Sequence, residues 1–242
     1  MKKTWFISDL HLDPSRPEIF TLLHEFLDDI EHQAEALYIL GDLFEFWVGD
    51  DITNSPLGLP FMPVLEHLKR LSDSGIKLYF IQGNRDFLVR DTFINLIGAT
   101  LLPDTQVIDL YGTPTLILHG DTLCIDDKNY QRMRTLFRIK FIQSLYLSLS
   151  IKNRVNRAQG VRKVTSKQVQ EKRYEILGVN QQAVETAMRE NNVTQMIHGH
   201  THRPAIHEFD LEGEKAQRMV LGDWHDKASF IVASENSIEL VS

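Results

Sequence analysis

The sequence predicts an α/β protein, a sandwich of two mixed β-sheets flanked by helices, with a helical insertion ahead of its last strands. Three observations carry that prediction. Short apolar runs alternate with amphipathic helical stretches over roughly the first hundred residues. Hairpin-like pairs of runs then replace the alternation, and a long basic, helical stretch separates the first hairpin from the later strands.

Thr4–Ile7 is a short apolar strand. Pro17 to about Gln33 reads as a helix, with Phe20, Leu23, Phe26, Leu27 and Ile30 at core-facing spacing. Ala36–Leu40 is the next strand, Pro63–Asp73 a second helix ended near Gly75, and Lys77–Ile81 a third strand. Thr92–Ile97 is a short helix closed by Gly98. Gln106–Leu110 and Thr115–Leu118 form a hairpin around Tyr111-Gly112-Thr113-Pro114. Beyond the helical stretch, Gln195–Ile197 resumes the strands, and Ala205–Phe209, Gln217–Leu221, Ser229–Ala233 and Ile238–Val241 read as strands of a second sheet. The expected organisation is one domain over residues 1–242, interrupted at about 123–179 by the insertion.

With 242 residues, 43% of them hydrophobic, the chain can bury a full core. A single cysteine, Cys124, excludes an internal disulfide and fits a reducing compartment. No basic-then-apolar leader opens the chain and no run of 18 apolar residues occurs, so neither secretion nor a membrane span is expected. The net charge of −7 argues against general nucleic-acid affinity, but it conceals a split. From Lys128 to Arg173 there are 13 Lys and Arg against one acid, Glu171, giving that segment +12 and the remainder −19. A split of this size points to an anionic partner for the segment.

Five strings carry the chemistry: DLH at Asp9–His11, GD at Gly41–Asp42, GNRD at Gly83–Asp86, HGD at His119–Asp121 and HGHTH at His198–His202. Each follows an apolar run and so falls in the loop at a strand's C-terminal end, where ligand groups gather in open α/β sheets. Alone, a D-x-H or a GD is an ordinary turn, and a single loop histidine is as often structural as functional. Together they offer carboxylates, an amide and imidazoles with no thiolate, a donor set for two divalent cations engaged in phosphate hydrolysis.

The order and wording of the strings resemble the calcineurin-like metallophosphoesterase superfamily, which reads D-x-H, GD, GN, H and GHxH. The resemblance implies that Asp9, His11, Asp42 and His202 hold one metal. Asp42, Asn84, His119 and His200 would hold the second, with Asp42 bridging and His198 behind the ligands. The implied cofactors are two divalent ions per chain, Mn²⁺ by resemblance. Many members read GNHD, the His assisting the leaving group, whereas this chain has Arg85 there. Arg cannot give up a proton near neutral pH, but its planar fork holds phosphate oxygens. A phosphate leaving group departs as a weak base, so Arg85 favours a diphosphate over an alkyl phosphate. An Arg after Asn can also serve a plain loop ion pair.

The insertion adds bulky apolar residues from Phe137 to Ile151, flanked by Arg132, Arg134, Arg138, Lys140, Lys152 and Arg154. It reads either as a helical hairpin packed on the core with a solvated basic face, or as a lid that meets an anionic membrane and receives acyl chains. SDLHL, YILGDLFEFWVGDD, QGNRDFL, LLPD, LHGDTLCIDD, ILGVNQ, HGHTHRP and VLGDW narrow the resemblance to the UDP-2,3-diacylglucosamine diphosphatase family of lipid A synthesis. That resemblance implies hydrolysis of UDP-2,3-diacylglucosamine to UMP and 2,3-diacylglucosamine 1-phosphate, water attacking the uridine-side phosphorus. Asp42, Asn84, Arg85, His119 and His200 would be the catalytic set, with Asn84, Arg85 and His200 on the diphosphate. Asp127 would meet the glucosamine head, and the insertion would contribute Thr165 and Lys172. The family usually places Ser and Asn where this chain has Thr165 and Val169; Thr keeps the hydroxyl, while Val169 removes a polar contact. The implied location is the cytoplasmic face of a Gram-negative inner membrane, bound peripherally, with no nucleic acid and no obligate protein partner. The alternatives are a metallophosphoesterase acting on soluble nucleotide diphosphates or phosphodiesters, and a non-catalytic membrane-surface scaffold.

Overall fold

The computed structural model describes residues 2–160 and 178–242. Its first sheet begins with β1 (Lys3–Ile7), β2 (Ala34–Ile39), β3 (Lys77–Phe80) and β4 (Ala99–Leu101), all parallel. Between them run α1 (Pro17–Ile30), α2 (Met62–Asp73) and α3 (Asp91–Ile97). Pro17 opens α1, where its missing N–H costs nothing. That helix stops at Ile30, short of the expected Gln33: Gln33 N turns back to Ile30 O at 3.0 Å, and the Gln33 carbonyl accepts from Lys3 N at 2.8 Å.

The second sheet has the order β5-β6-β7-β9-β8, from β5 (Thr105–Leu110), β6 (Thr113–Leu118), β7 (Gln195–His198), β8 (Ala205–Leu211) and β9 (Glu214–Val220). Strands β10 (Phe230–Ala233) and β11 (Ile238–Val241) do not join it, contrary to the sequence expectation. They return to the first sheet, where β10 lies antiparallel to β1 with Trp5 opposite Val232. The composition of β10 accounts for this. Ile231 and Ala233 face the core between the sheets, while Phe230 and Val232 pack with Trp5 and Phe26 on the opposite side. A strand apolar on both faces needs cover on both faces.

Three layers of apolar packing follow. Phe6, Leu40, Ile81, Ile117, Ile197, Met219 and Ile231 fill the space between the sheets. The outer face of the first sheet packs under α1 to α3. The outer face of the second is covered by α7 (Gln181–Glu190) through Val184 and Met188. The arrangement is the α/β sandwich of two mixed sheets read from the sequence.

The inserted stretch forms α4 (Lys128–Phe137), α5 (Lys140–Leu147) and a helical segment over 151–160, α6. In α5 and α6 the apolar side chains divide by helical face. Tyr146, Leu147, Ile151, Val155 and Ala158 pack on the main core. Phe141 and Leu145 point outward, 76% and 63% exposed. Helix α4 is inverted: Tyr130, Arg134 and Arg138 are the half-buried side, and Met133, Leu136 and Phe137 are exposed. No helix among the described residues is long and apolar enough to cross a membrane.

Candidate metal centre

All five strings converge at the C-terminal ends of β1, β2, β3, β6 and β7. The backbone turns sharply there. Asp9, His11, Asp42, His200 and His202 all have positive φ, between 50° and 69°. Asp and His tolerate this left-handed region better than most residues, yet each such position still costs about 1 kcal/mol. Five of them in one cluster of polar side chains mark a functional centre. Gly41, at φ 86°, lets the β2 and β3 loops touch, since a Cβ there would lie 2.6 Å from the Gly83 backbone.

On one side, His11 Nε2 faces His202 Nε2 at 3.2 Å. His202 Nε2 is also 3.5 Å from Asp9 Oδ1, a buried oxygen that accepts no hydrogen bond. The other oxygen, Asp9 Oδ2, accepts from His200 N at 2.7 Å. On the other side, His119 Nδ1 reaches the Leu40 carbonyl at 2.8 Å, which turns Nε2 toward Asn84 Oδ1 at 3.0 Å. Asp42 lies between: its Oδ2 is 3.9 Å from His11 Nε2 and 3.7 Å from His119 Nε2, while Oδ1 accepts from Arg85 N at 2.8 Å. Among the described residues, two groups have ligand atoms close enough for one ion each, Asp9–His11–His202 and Asp9–Asp42–His119. Asp9 thus stands in both, where the family pattern assigns it to one. His200 stacks edge-on against His119, ring centroids 5.0 Å apart.

The electrostatics suit cations. Burial opposes charge on His202, but the nearby carboxylates of Asp223 and Asp9 outweigh it and lift its pKa to about 10. Burial likewise opposes charge on His119, and Asp42, Asp9 and Asp121 still raise it. Burial and the neighbouring His119 hold His200 down at about 4, leaving it neutral. Imidazoles crowded by buried carboxylates hold protons that a metal displaces. The orphaned Asp9 oxygen, the facing Nε2 atoms and the all N/O donor set fit divalent ions.

Around these ligands the other expected residues divide. Arg85 is half-buried with its Nε unpartnered, and its guanidinium lies 5.9 Å from the Phe46 ring. It makes no side-chain ion pair among the described residues. Asp127 caps α4 by accepting from Tyr130 N at 3.1 Å. Thr165, Val169 and Lys172 lie outside the described residues. His198 is fully buried, donates from Nδ1 to Gly199 O, and accepts from Arg218. Burial and that arginine keep it neutral, with a pKa near 3.

Sequence reasoning missed two anchors. Asp86, the last letter of GNRD, accepts from Gly83 N at 2.7 Å and Leu43 N at 2.9 Å, tying the two metal loops together. Burial and Asp42 push its pKa up to about 7. Asp121, the last letter of HGD, binds Tyr130 Oη and Arg134 Nε, both at 2.7 Å. That contact also revises the reading of the +12 segment. Arg134 and Arg138 pair with Asp104, and Arg154 with Asp51, so part of the basic excess neutralises the acidic body of the same chain.

The calcineurin-like phosphoesterase family model matches residues 2–204. A UDP-2,3-diacylglucosamine hydrolase of Nitrosococcus oceani is 49% identical over 91% of this chain and 87% of that protein. Those of Serratia proteamaculans and Photobacterium profundum are 47% and 45% identical, each over 98% of this chain and over 98% and 95% of their own lengths. Among solved structures, an archaeal phosphodiesterase superposes with a TM-score of 0.50 at 10% identity, covering 99% of this chain and 98% of that one, which supports the shared fold. With the ligand strings in order and matches of this length, the chain belongs to the calcineurin-like phosphoesterases and, within them, to the UDP-2,3-diacylglucosamine hydrolase family.

Proposed function

We propose that the protein hydrolyses the diphosphate of UDP-2,3-diacylglucosamine, giving UMP and 2,3-diacylglucosamine 1-phosphate for lipid A synthesis. The observation that carries this reading is near-half identity over nearly the full length to proteins bearing that name, with every expected metal-ligand position filled. Asp9, His11, Asp42 and His202 would hold one ion, and Asp42, Asn84, His119 and His200 the other; Mn²⁺ suits the donors. The position of Asp42 between His11 and His119 supports its bridging role. When bound, such ions lower the pKa of water and neutralise phosphoryl charge.

The chain's own residues do the rest. Arg85 presents an unpartnered donor beside Asn84 and would bind diphosphate oxygens, stabilising the charge that develops on the leaving phosphate. No proton donor is required there, because that phosphate departs as a weak base. Asp86 and Gly41 keep the Asp42 and Asn84 loops in register. Asp127, half-buried at the start of α4, would face the sugar.

Residues 123–179 act in this reading as a lid within a single domain. The outward Phe141 and Leu145, with the exposed Lys140 and Lys152, suit peripheral contact with the cytoplasmic face of the inner membrane. Each basic residue at an anionic surface adds about 1 kcal/mol. The test is UMP release by Mn²⁺-loaded protein from UDP-diacylglucosamine, compared with a soluble UDP-sugar. Strong preference for the acylated substrate is expected; equal turnover of both would favour a soluble nucleotide substrate.

A further inference from the structure

Behind His202 a chain of polar groups runs to the surface and fixes which nitrogen that imidazole offers. Arg16 Nη2 lies 2.9 Å from His225 Nδ1 and donates to Trp224 O at 3.2 Å. A guanidinium only donates, so His225 Nδ1 accepts and its proton sits on Nε2. His225 Nε2 is 2.7 Å from Asp223 Oδ2, and the same oxygen is 3.2 Å from His202 Nδ1. The carboxylate only accepts, so His202 donates from Nδ1. Once a metal displaces the second proton, Nε2 is the nitrogen left to ligate, aimed at the space it shares with Asp9 Oδ1 and His11 Nε2. The other side of the centre is built differently. His119 is fixed by the Leu40 carbonyl, a neutral and buried acceptor. Asp223 and His225 are 23% and 63% exposed, and Asp223 adds a full negative charge behind its histidine.

We propose that Asp223, steadied by His225 and Arg16, is a positioning residue that sets the tautomer and orientation of His202. The metal held by Asp9, His11 and His202 therefore depends on Asp223, and the metal beside His119 does not. The inference rests on the two-metal reading. Carboxylates behind metal-binding histidines typically change metal affinity 10- to 100-fold.

The experiment titrates metal-stripped protein with Mn²⁺ by calorimetry and by electron paramagnetic resonance, for the original chain, D223A, D223N and H225A. The original chain should take up two ions. D223A should weaken one by roughly 10- to 100-fold and leave the other within about twofold. D223N should retain more affinity than D223A, because its amide oxygen still accepts the Nδ1 proton. H225A should show a smaller loss at the same ion, and thermal melting of the metal-free forms should be nearly unchanged. If D223A will not fold, the D223N comparison alone decides: an ion weakened selectively supports the proposal, two unaltered ions overturn it. Equal weakening of both ions, or loss of metal-free stability with no selective loss of metal, also overturns it. Fewer than two ions on the original chain would instead defeat the two-metal reading itself, and the inference with it.

Discussion

Arg154→Met should undock the outer half of the inserted helices while leaving the sandwich folded. The Arg154 side chain is 1% exposed and bridges α6 to the loop after β2. Its Nε donates to Leu149 O at 3.0 Å, Nη1 to Val48 O and to Asp51 Oδ1 at 2.8 Å, and Nη2 to Asp51 Oδ2. Gly49, at φ 124°, makes room for it: a Cβ there would come 2.5 Å from Nη1 and 2.6 Å from Leu147 Cδ2. Asp51 is 54% exposed and regains water once unpaired, so the cost falls mainly on the Leu149 and Val48 carbonyls that lose their donor. At about 1–3 kcal/mol for each such group, the total is about 3 kcal/mol. At 1.4 kcal/mol per decade, the docking equilibrium shifts by roughly 100-fold. Amide hydrogen exchange reads the effect directly. Residues 140–160 should lose protection by about that factor, with β1 to β3 unchanged. Unaltered exchange in α5 and α6 would refute the reasoning, as would an equal loss of protection throughout the chain.

Other consequences follow from separate parts of the molecule. Asp42→Ala and His119→Ala should each abolish hydrolysis and leave far-ultraviolet circular dichroism intact, since both residues serve the centre more than the core; near-normal turnover would contradict their placement as ligands. Replacing Phe141 and Leu145 together with Ser should reduce use of acylated substrate at least tenfold while sparing a short chromogenic phosphodiester, because both side chains are outward and pack on nothing in the core. Stability should fall on acidification below about pH 6.5, in part through His67, which lies 2.8 Å from His24 and 2.7 Å from Arg70. Burial, then Arg70, lowers its pKa, so the unfolded chain binds its proton more tightly and the stabilisation present above the unfolded value is lost as pH drops. Chemical denaturation of His67→Gln at several pH values should show a flatter dependence than the original chain.

The sequence made the strand ends legible because the chemistry there is local. Asp9–His11, Asp42, Asn84, His119 and His200–His202 each follow an apolar run, so their place at a strand end is visible without the fold. Helices α1 to α3 were readable from their apolar period and from Pro17 and Gly98 at the ends. Strand pairing was not. Which sheet takes β10 depends on its partner β1, more than 220 residues earlier, and periodicity within β10 carries no trace of that choice. Charge pairing was hidden in the same way. Arg134, Arg138 and Arg154 read as free cations until Asp104, Asp121 and Asp51 were brought beside them. The network behind His202 joins Arg16 to His225 across 209 positions, beyond any local pattern.

The central claim is that this centre cleaves a diphosphate by attack of water on the phosphorus next to uridine. Hydrolysis of UDP-2,3-diacylglucosamine in ¹⁸O-labelled water, with mass analysis of both products, tests it most directly. The account predicts one labelled oxygen in UMP and none in 2,3-diacylglucosamine 1-phosphate. Label in the lipid product, or no hydrolysis by the Mn²⁺-loaded protein, would contradict it.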